Sequence, residues 1–175
     1  MQTEEVEYNI RPFKCIFNND ADKFKSLAIG YKEPVVRVLE HQHTSGFSLV
    51  SLTKSVFCDR VFKILLLYRS HRETTECFFE KLCRILQEQP DIDFIMGDFN
   101  IDLLKYSIES EVLESEHLVD FTILVDKSTH IDGGLLDHVY IRSSLHESFQ
   151  FEINGAKYCT NLSDHDIIKL EIVES

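Results

Sequence analysis

The stretch Asp93-Phe94-Ile95-Met96-Gly97-Asp98-Phe99-Asn100 decides how the rest of the chain is interpreted. Three apolar residues run into a glycine, which predicts a buried strand over 94–96 that leaves its sheet at Gly97. Because side chains alternate faces along an extended segment, Asp98 and Asn100 are expected to point the same way. A carboxylate beside a carboxamide can hold a water, a metal ion or a phosphate oxygen, although Asp and Asn are also ordinary turn residues.

Length and composition are typical of one folded domain. The chain has 175 residues, is 43% hydrophobic and contains 13 Phe, which predicts a single domain over residues 1–175 with a sizeable core. The formal net charge is -12. That sign opposes a surface that binds nucleic acid through its phosphates, although it leaves room for a local basic groove.

The cysteines and the apolar runs bear on the cellular compartment. Five Cys are scattered without a CxxC pair, a pattern typical of buried free thiols in a reducing compartment. No apolar run approaches the roughly 18 residues of a membrane span, and no signal-peptide pattern opens the chain. We therefore expect a soluble intracellular protein, nuclear or cytoplasmic, without a membrane partner.

Around the central stretch, the apolar pattern alternates between strands and a few helices. Residues 75–88 have helical periodicity, with Thr74 or Thr75 as the cap and Pro90 at the end. Residues 107–117 predict a second helix whose four Glu form a solvated face. Strands are predicted near 13–17, 26–31, 35–38, 47–52, 61–68, 121–125, 135–141, 149–153 and 167–172. This order favours a layered α/β or α+β domain around a β-sandwich.

Four polar clusters lie at the ends of these predicted strands. They are Asp98 with Asn100, Tyr68-Arg69, Asp137-His138, and Ser163-Asp164-His165. Carboxylates beside an imidazole suit the hydrolysis of a phosphate ester, in which a divalent metal offsets phosphoryl charge and a carboxylate activates water. Spacing alone does not bring these clusters together, so a purely structural role for each of them stays open.

The ordered set of motifs resembles a known superfamily. Gly97-Asp98-Phe99-Asn100, then Leu136-Asp137-His138-Val139-Tyr140, then Ser163-Asp164-His165 are similar to motifs of the endonuclease/exonuclease/phosphatase superfamily. Leu65-Leu66-Leu67-Tyr68-Arg69 and the helix after it, together with Thr129-His130, resemble the apurinic-type endonuclease domains of non-LTR retrotransposons. The resemblance covers about residues 26–172. It implies a DNase I-like α+β fold, a four-layer sandwich of two β-sheets flanked by helices.

The resemblance also implies roles for individual residues. Asp98 resembles the carboxylate that orients or deprotonates the attacking water, and Asn100 the amide that positions that water and the phosphate. Tyr68 resembles a phenol that contacts the phosphate. His165 resembles the histidine that stabilises the transition state, and Asp137 the partner that orients it.

The metal ligands implied by the resemblance are less complete. Asp164 resembles a metal-site carboxylate, and the implied ion is Mg²⁺ or Mn²⁺. Members of the superfamily normally open with two further strands, the second of which carries a metal-binding Glu. This sequence has no room for the first of them and is expected to lack N-terminal strands, and Glu4 is the candidate for that ligand. Ser70-His71 also replaces the usual Pro-Pro after the tyrosine and arginine.

These implications predict a metal-dependent phosphodiesterase that nicks DNA, either fused to or descended from a reverse transcriptase polyprotein. Two alternatives remain open: an inactive truncated remnant of the same fold, and a phosphatase acting on a small or lipid phosphate. The other histidines are expected to be unremarkable. His71, His117 and His146 are assigned to the surface, and His138 is left out of the site because it points away from Asp137 on the same strand.

Overall fold

The structure is a computed structural model that describes residues 14–19, 26–31, 36–44, 47–54, 60–146, 150–156 and 164–173. The chain divides into two compact units, Met1–Tyr68 and Arg69–Ser175. The expected absence of N-terminal strands and the candidate ligand Glu4 both fall outside the described residues. The expectation of a single domain stays a prediction.

The first unit is built from antiparallel strands. Its elements are β1 (Lys14–Asn19), β2 (Ser26–Tyr31), β3 (Val36–Thr44), β4 (Phe47–Lys54) and β5 (Val61–Tyr68). β1 pairs with β2, and β4 pairs with both β3 and β5. Residues 64–67 of β5 are all buried, so both faces of this strand are covered, as its uninterrupted apolar run predicts.

The second unit mixes helices and strands. Its elements are α1 (Thr75–Glu88), β6 (Phe94–Asp98), α2 (Ile108–Val112), a π-helical turn (Leu113–His117), β7 (Phe121–Ile123), β8 (Asp137–Arg142), α3 (Ser143–His146), β9 (Gln150–Ala156) and β10 (Ile167–Val173). β8 lies between β6 and β7 and is antiparallel to both. β9 and β10 form a separate antiparallel pair. The two units together have the mixed α+β composition that the sequence predicts.

Helix α1 has the bounds predicted from its periodicity and caps. The Thr74 hydroxyl accepts a hydrogen bond from the Cys77 N–H, which satisfies one of the free donors of the first turn. The apolar face buries Phe78, Phe79 and Leu82. The rings of Phe78 and Phe99 pack in a T-shaped arrangement with centroids 5.8 Å apart. Helix α1 therefore packs against the residue that separates Asp98 from Asn100.

Two local predictions are wrong, and a third is confirmed with a change of helix type. β6 does not end at Gly97 but continues to Asp98, because Gly97 adopts a φ of 142° that only glycine reaches without strain. The segment 107–117 is helical as predicted, but it is α-helical only to Val112 and continues as the π-helical turn to His117. Cys77 is an exposed residue of α1, whereas the cysteine pattern predicts buried thiols. Within the described residues, no helix combines the length and apolarity required to cross a membrane.

Candidate active site

The turn after β6 brings Asp98 and Asn100 together. They are not neighbours on one face of an extended strand, which is what the alternation of side chains predicts. Asn100 is not extended but left-handed, with a φ of 50°, a conformation that Asn tolerates better than most residues. Its backbone N–H donates to Asp98 Oδ1 at 2.9 Å, and its side-chain amide donates to Asp98 Oδ2 at 3.2 Å. Both carboxylate oxygens of Asp98 are therefore held by one neighbouring residue.

Arg69 stabilises this turn through hydrogen bonds to its backbone. The Arg69 backbone N–H donates to the Asp98 carbonyl at 2.8 Å, and the Arg69 guanidinium donates to the Phe99 carbonyl at 3.3 Å. In return, the Asn100 side-chain amide donates to the Arg69 carbonyl at 2.6 Å. The Arg69 side chain is buried with its Nε unpaired, so its role among the described residues is to fix the backbone of the 98–100 turn.

Asp137 and His165 form a hydrogen-bonded dyad. The first residue of β8, Asp137, lies directly opposite Asp98 in the sheet. The His165 Nδ1–H donates to Asp137 Oδ2 at 2.8 Å, which leaves Nε2 directed away from the dyad. The backbone N–H groups of Leu136 and Asp137 both donate to the buried Thr129 hydroxyl, at 3.1 and 3.0 Å. Thr129 therefore fixes the start of β8 and the carboxylate that orients His165.

Two further carboxylates flank the free nitrogen of His165. Its Nε2 lies 4.0 Å from Asp98 Oδ2 and 4.0 Å from Asp164 Oδ1, too far for a hydrogen bond in either case. Asp164 is 66% exposed and Asp98 only 15%. The imidazole nitrogen therefore opens onto a space bordered by one partly buried and one accessible carboxylate.

The pKa values of Asp98 and His165 are both raised. Burial raises the pKa of Asp98 and the neighbouring Asp137 charge adds to that rise, although the Asn100 N–H and the charges of His165 and His71 lower it. For His165, burial lowers the pKa, but the hydrogen bond to Asp137 and three surrounding carboxylates outweigh it, so its pKa is raised overall. A raised pKa makes Asp98 a better proton acceptor and keeps His165 cationic to higher pH.

The accessible carboxylate has a contact that sequence reasoning missed. His130 Nε2 lies 3.4 Å from Asp164 Oδ2, and His130 is paired with His165 in an antiparallel bridge. The pKa of Asp164 is lowered, first by its own backbone N–H and then by His130. His130 and Asp164 are 34 residues apart in the chain, so no local pattern indicated this contact.

The structure gathers most of the predicted site residues. Asp98, Asn100, Asp137, Asp164 and His165 all come together in the second unit, linked by the contacts above. Tyr68 ends β5 in the first unit, and its expected phosphate contact stays a prediction. His138 is outside the site, as expected, because it is fully buried and its Nε2 faces the carbonyls of Ile101 and Leu135 at 2.9 and 3.2 Å.

The donors present suit a hard divalent cation. Mg²⁺ prefers oxygen ligands and is usually held by one or two carboxylates together with waters and substrate phosphates. Asp98 and Asp164 supply carboxylate oxygens on either side of the His165 nitrogen. Three carboxylates around one imidazole leave an excess of negative charge that a cation would offset. The chemistry of these donors therefore suits Mg²⁺ or Mn²⁺.

Comparison with known proteins shows the fold. No protein-family model matches the chain, and no curated protein matches it. Among solved structures, the endonuclease domain of TRAS1, a telomere-specific non-LTR retrotransposon, is similar with a TM-score of 0.66 and 14% sequence identity. The match covers 83% of this chain and 70% of that one. The chain therefore has the DNase I-like α+β fold that its sequence predicts.

Proposed function

We propose that this protein is a Mg²⁺-dependent phosphodiesterase that nicks DNA, an endonuclease of the retroelement type. One observation carries the proposal: residues from three motifs that are far apart in the sequence meet around His165. The similarity to a retrotransposon endonuclease domain supports DNA as the substrate. Fusion to or descent from a reverse transcriptase is part of the same proposal.

In this mechanism Asp98 accepts the proton of the attacking water. Its raised pKa favours proton uptake, and its two oxygens are held by Asn100, so the carboxylate is oriented before the reaction begins. Asn100 uses its amide N–H groups on Arg69 and Asp98, which leaves its side-chain oxygen to position the water. The water oxygen bonds to phosphorus in line with the leaving group, the bond from phosphorus to the 3′-oxygen breaks, and the phosphate stays on the 5′ side. The released 3′-oxygen takes a proton from solvent and becomes a 3′-hydroxyl.

His165 stabilises the charge that develops on the phosphoryl group. Its Nδ1–H is committed to Asp137, so its Nε2–H faces the space between Asp98 and Asp164. The raised pKa keeps the imidazolium form, which donates a charge-assisted hydrogen bond to a phosphoryl oxygen. Mg²⁺ held by Asp164, with Glu4 as a further candidate ligand, would offset negative charge on the phosphate when bound.

The test is nicking of supercoiled plasmid in the presence of Mg²⁺. We expect the native chain to convert plasmid to the open-circle form, and we expect His165→Ala to slow this by about 100-fold or more, the usual cost of one such donor. His146→Ala is the matched control, because His146 is an exposed histidine of α3 outside the site. The proposal would be contradicted if the native chain does not cleave the plasmid, or if His165→Ala cleaves it equally well.

A second candidate function is hydrolysis of a small or lipid phosphate ester, and the net charge of -12 favours it over a polyanionic substrate. Release of inorganic phosphate from phosphomonoesters, with plasmid left intact, would support this candidate. An inactive remnant of the same fold would instead leave both substrates unchanged and bind no divalent ion.

A further inference from the structure

The backbone places His130 beside the accessible carboxylate of the site. The Ile131 N–H donates to the Asp164 carbonyl at 2.8 Å, and the Asp166 N–H donates to the Thr129 carbonyl at 2.7 Å. This two-sided bridge fixes the segments that carry His130 and Asp164 relative to each other. The His130 side chain is only 15% exposed, whereas that of Asp164 is 66% exposed. A well-enclosed ring therefore lies against a carboxylate that solvent largely surrounds.

A backbone donor sets the tautomer of His130. The Asp132 N–H donates to His130 Nδ1 at 3.2 Å, so Nδ1 is the accepting nitrogen of the ring. A neutral imidazole has one accepting and one donating nitrogen, and therefore the proton lies on Nε2. His130 Nε2 is 3.4 Å from Asp164 Oδ2, so the protonated ring nitrogen lies beside the carboxylate, slightly beyond the usual hydrogen-bond distance.

The same arrangement opposes direct metal binding by His130. Ligand atoms of His130, Asp164 and His165 lie within 4.8 Å of one another, a separation that a transition metal could bridge. Binding through His130 Nε2 would require its proton to move to Nδ1. There the proton would face the Asp132 N–H at 3.2 Å, which places two donors against each other. The geometry therefore favours a polar contact with Asp164 over coordination of a metal by His130.

We propose that His130 is a positioning residue that holds the Asp164 carboxylate in the orientation in which it binds the divalent ion. The inference rests on the proposed function, which assigns Asp164 to the metal. His130 Nε2 lies 3.4 Å from Asp164 Oδ2, while Asp164 Oδ1 lies 4.0 Å from His165 Nε2. A polar contact from outside the metal's ligands restricts an exposed side chain, and removal of such partners typically weakens metal binding by about 10–100-fold.

The test measures Mn²⁺ binding by calorimetry on the whole chain without DNA. We expect His130→Leu to weaken Mn²⁺ binding by about 10-fold or more. His130→Gln should recover most of the loss, since a Gln side-chain amide can donate from nearly the same position as Nε2. His146→Leu, which makes the same change at an exposed site, should bind as the native chain does. Restoration by Gln distinguishes the loss of this polar contact from a loss of folding.

Two results would overturn the inference. One is equal Mn²⁺ affinity of His130→Leu and the native chain. The other is a ring-nitrogen NMR spectrum that shows His130 protonated on Nδ1 in the native chain. A native chain that binds no Mn²⁺ would instead contradict the proposed function, so the two failures can be told apart.

Discussion

At the scale of single residues, the central feature is the control of His165 by Asp137. The hydrogen bond from Nδ1 fixes the ring. Burial lowers the pKa of His165, and the negative charge of Asp137 is one of the influences that raise it overall. We expect Asp137→Asn to lower the pKa of His165, because an amide carries no charge to favour the imidazolium. An NMR titration of the His165 ring, without metal or DNA, measures this directly.

The same substitution should slow nicking by about 10-fold or more, since the ring loses its orienting partner. Asp120→Asn is the matched control, because it makes the same change at an exposed carboxylate in the turn before β7. A His165 pKa that stays at its native value in Asp137→Asn would contradict the assignment of Asp137 as the orienting group.

Sequence reasoning found the residues of the site better than it found their geometry. Asp98 and Asn100 were expected to share a face of one strand, but the left-handed Asn100 brings them together after the strand ends. Because Asp98 and Asn100 are two residues apart, the sequence predicts that they are close. It does not predict the backbone conformation that brings them into contact. His130 was not assigned to the site, because its contact with Asp164 depends on the bridge to His165 and not on any local pattern.

At the scale of elements, β8 places its alternate side chains in two different environments. Asp137 lies in the site, whereas His138 is buried and stacks on Phe99 with ring centroids 4.3 Å apart. Burial lowers the pKa of His138 to about 4, although its contacts to the carbonyls of Ile101 and Leu135 act to raise it. The ring is therefore neutral in the folded protein at neutral pH.

This neutral histidine makes stability depend on pH. The pKa of His138 is lower in the folded state than the unfolded value of 6.5, so between these values the unfolded chain binds more protons. The contribution of His138 to the free energy of unfolding should thus fall as pH falls from 7 to 4, by about 3 kcal/mol in all. Urea denaturation at a series of pH values measures it.

His138→Leu should flatten the stability profile over that window, and the difference from the native chain removes the contribution of the carboxylates. His146→Leu, at an exposed histidine, should keep the native slope. Parallel profiles for His138→Leu and the native chain would show that His138 is not buried in its neutral form.

The predictability of each element follows from how local its determinants are. The sequence predicts α1 residue by residue, because its periodicity, its Thr74 cap and the following Pro90 are all local signals. The break after α2 was not predicted, since the switch to a π-helical turn changes the hydrogen-bond register without changing the apolar pattern. The sequence does not predict where β6 ends, because a glycine is compatible with both a turn and a continued strand. The φ of Gly97 decides between the two.

At the scale of the whole molecule, net charge limits how DNA could be bound. The chain has 18 Lys and Arg against 30 Asp and Glu, so long-range attraction to DNA is absent and contact must be local. We expect the dependence of log K on log salt concentration to have a slope of magnitude about 3 or less, which corresponds to a few neutralised phosphates. The slowly cleaving His165→Ala chain, with Mn²⁺ present, allows the measurement by fluorescence anisotropy before the duplex is nicked.

Divalent ions should control this binding more strongly than monovalent salt does. In the absence of a divalent ion, three carboxylates border the site, and phosphate would meet net negative charge. Binding should therefore weaken when EDTA replaces Mn²⁺, and it should weaken likewise in His165→Ala combined with Asp164→Asn. A slope near the roughly -10 of strongly basic DNA-binding proteins would contradict this account, because it requires many phosphate contacts that an acidic surface does not supply.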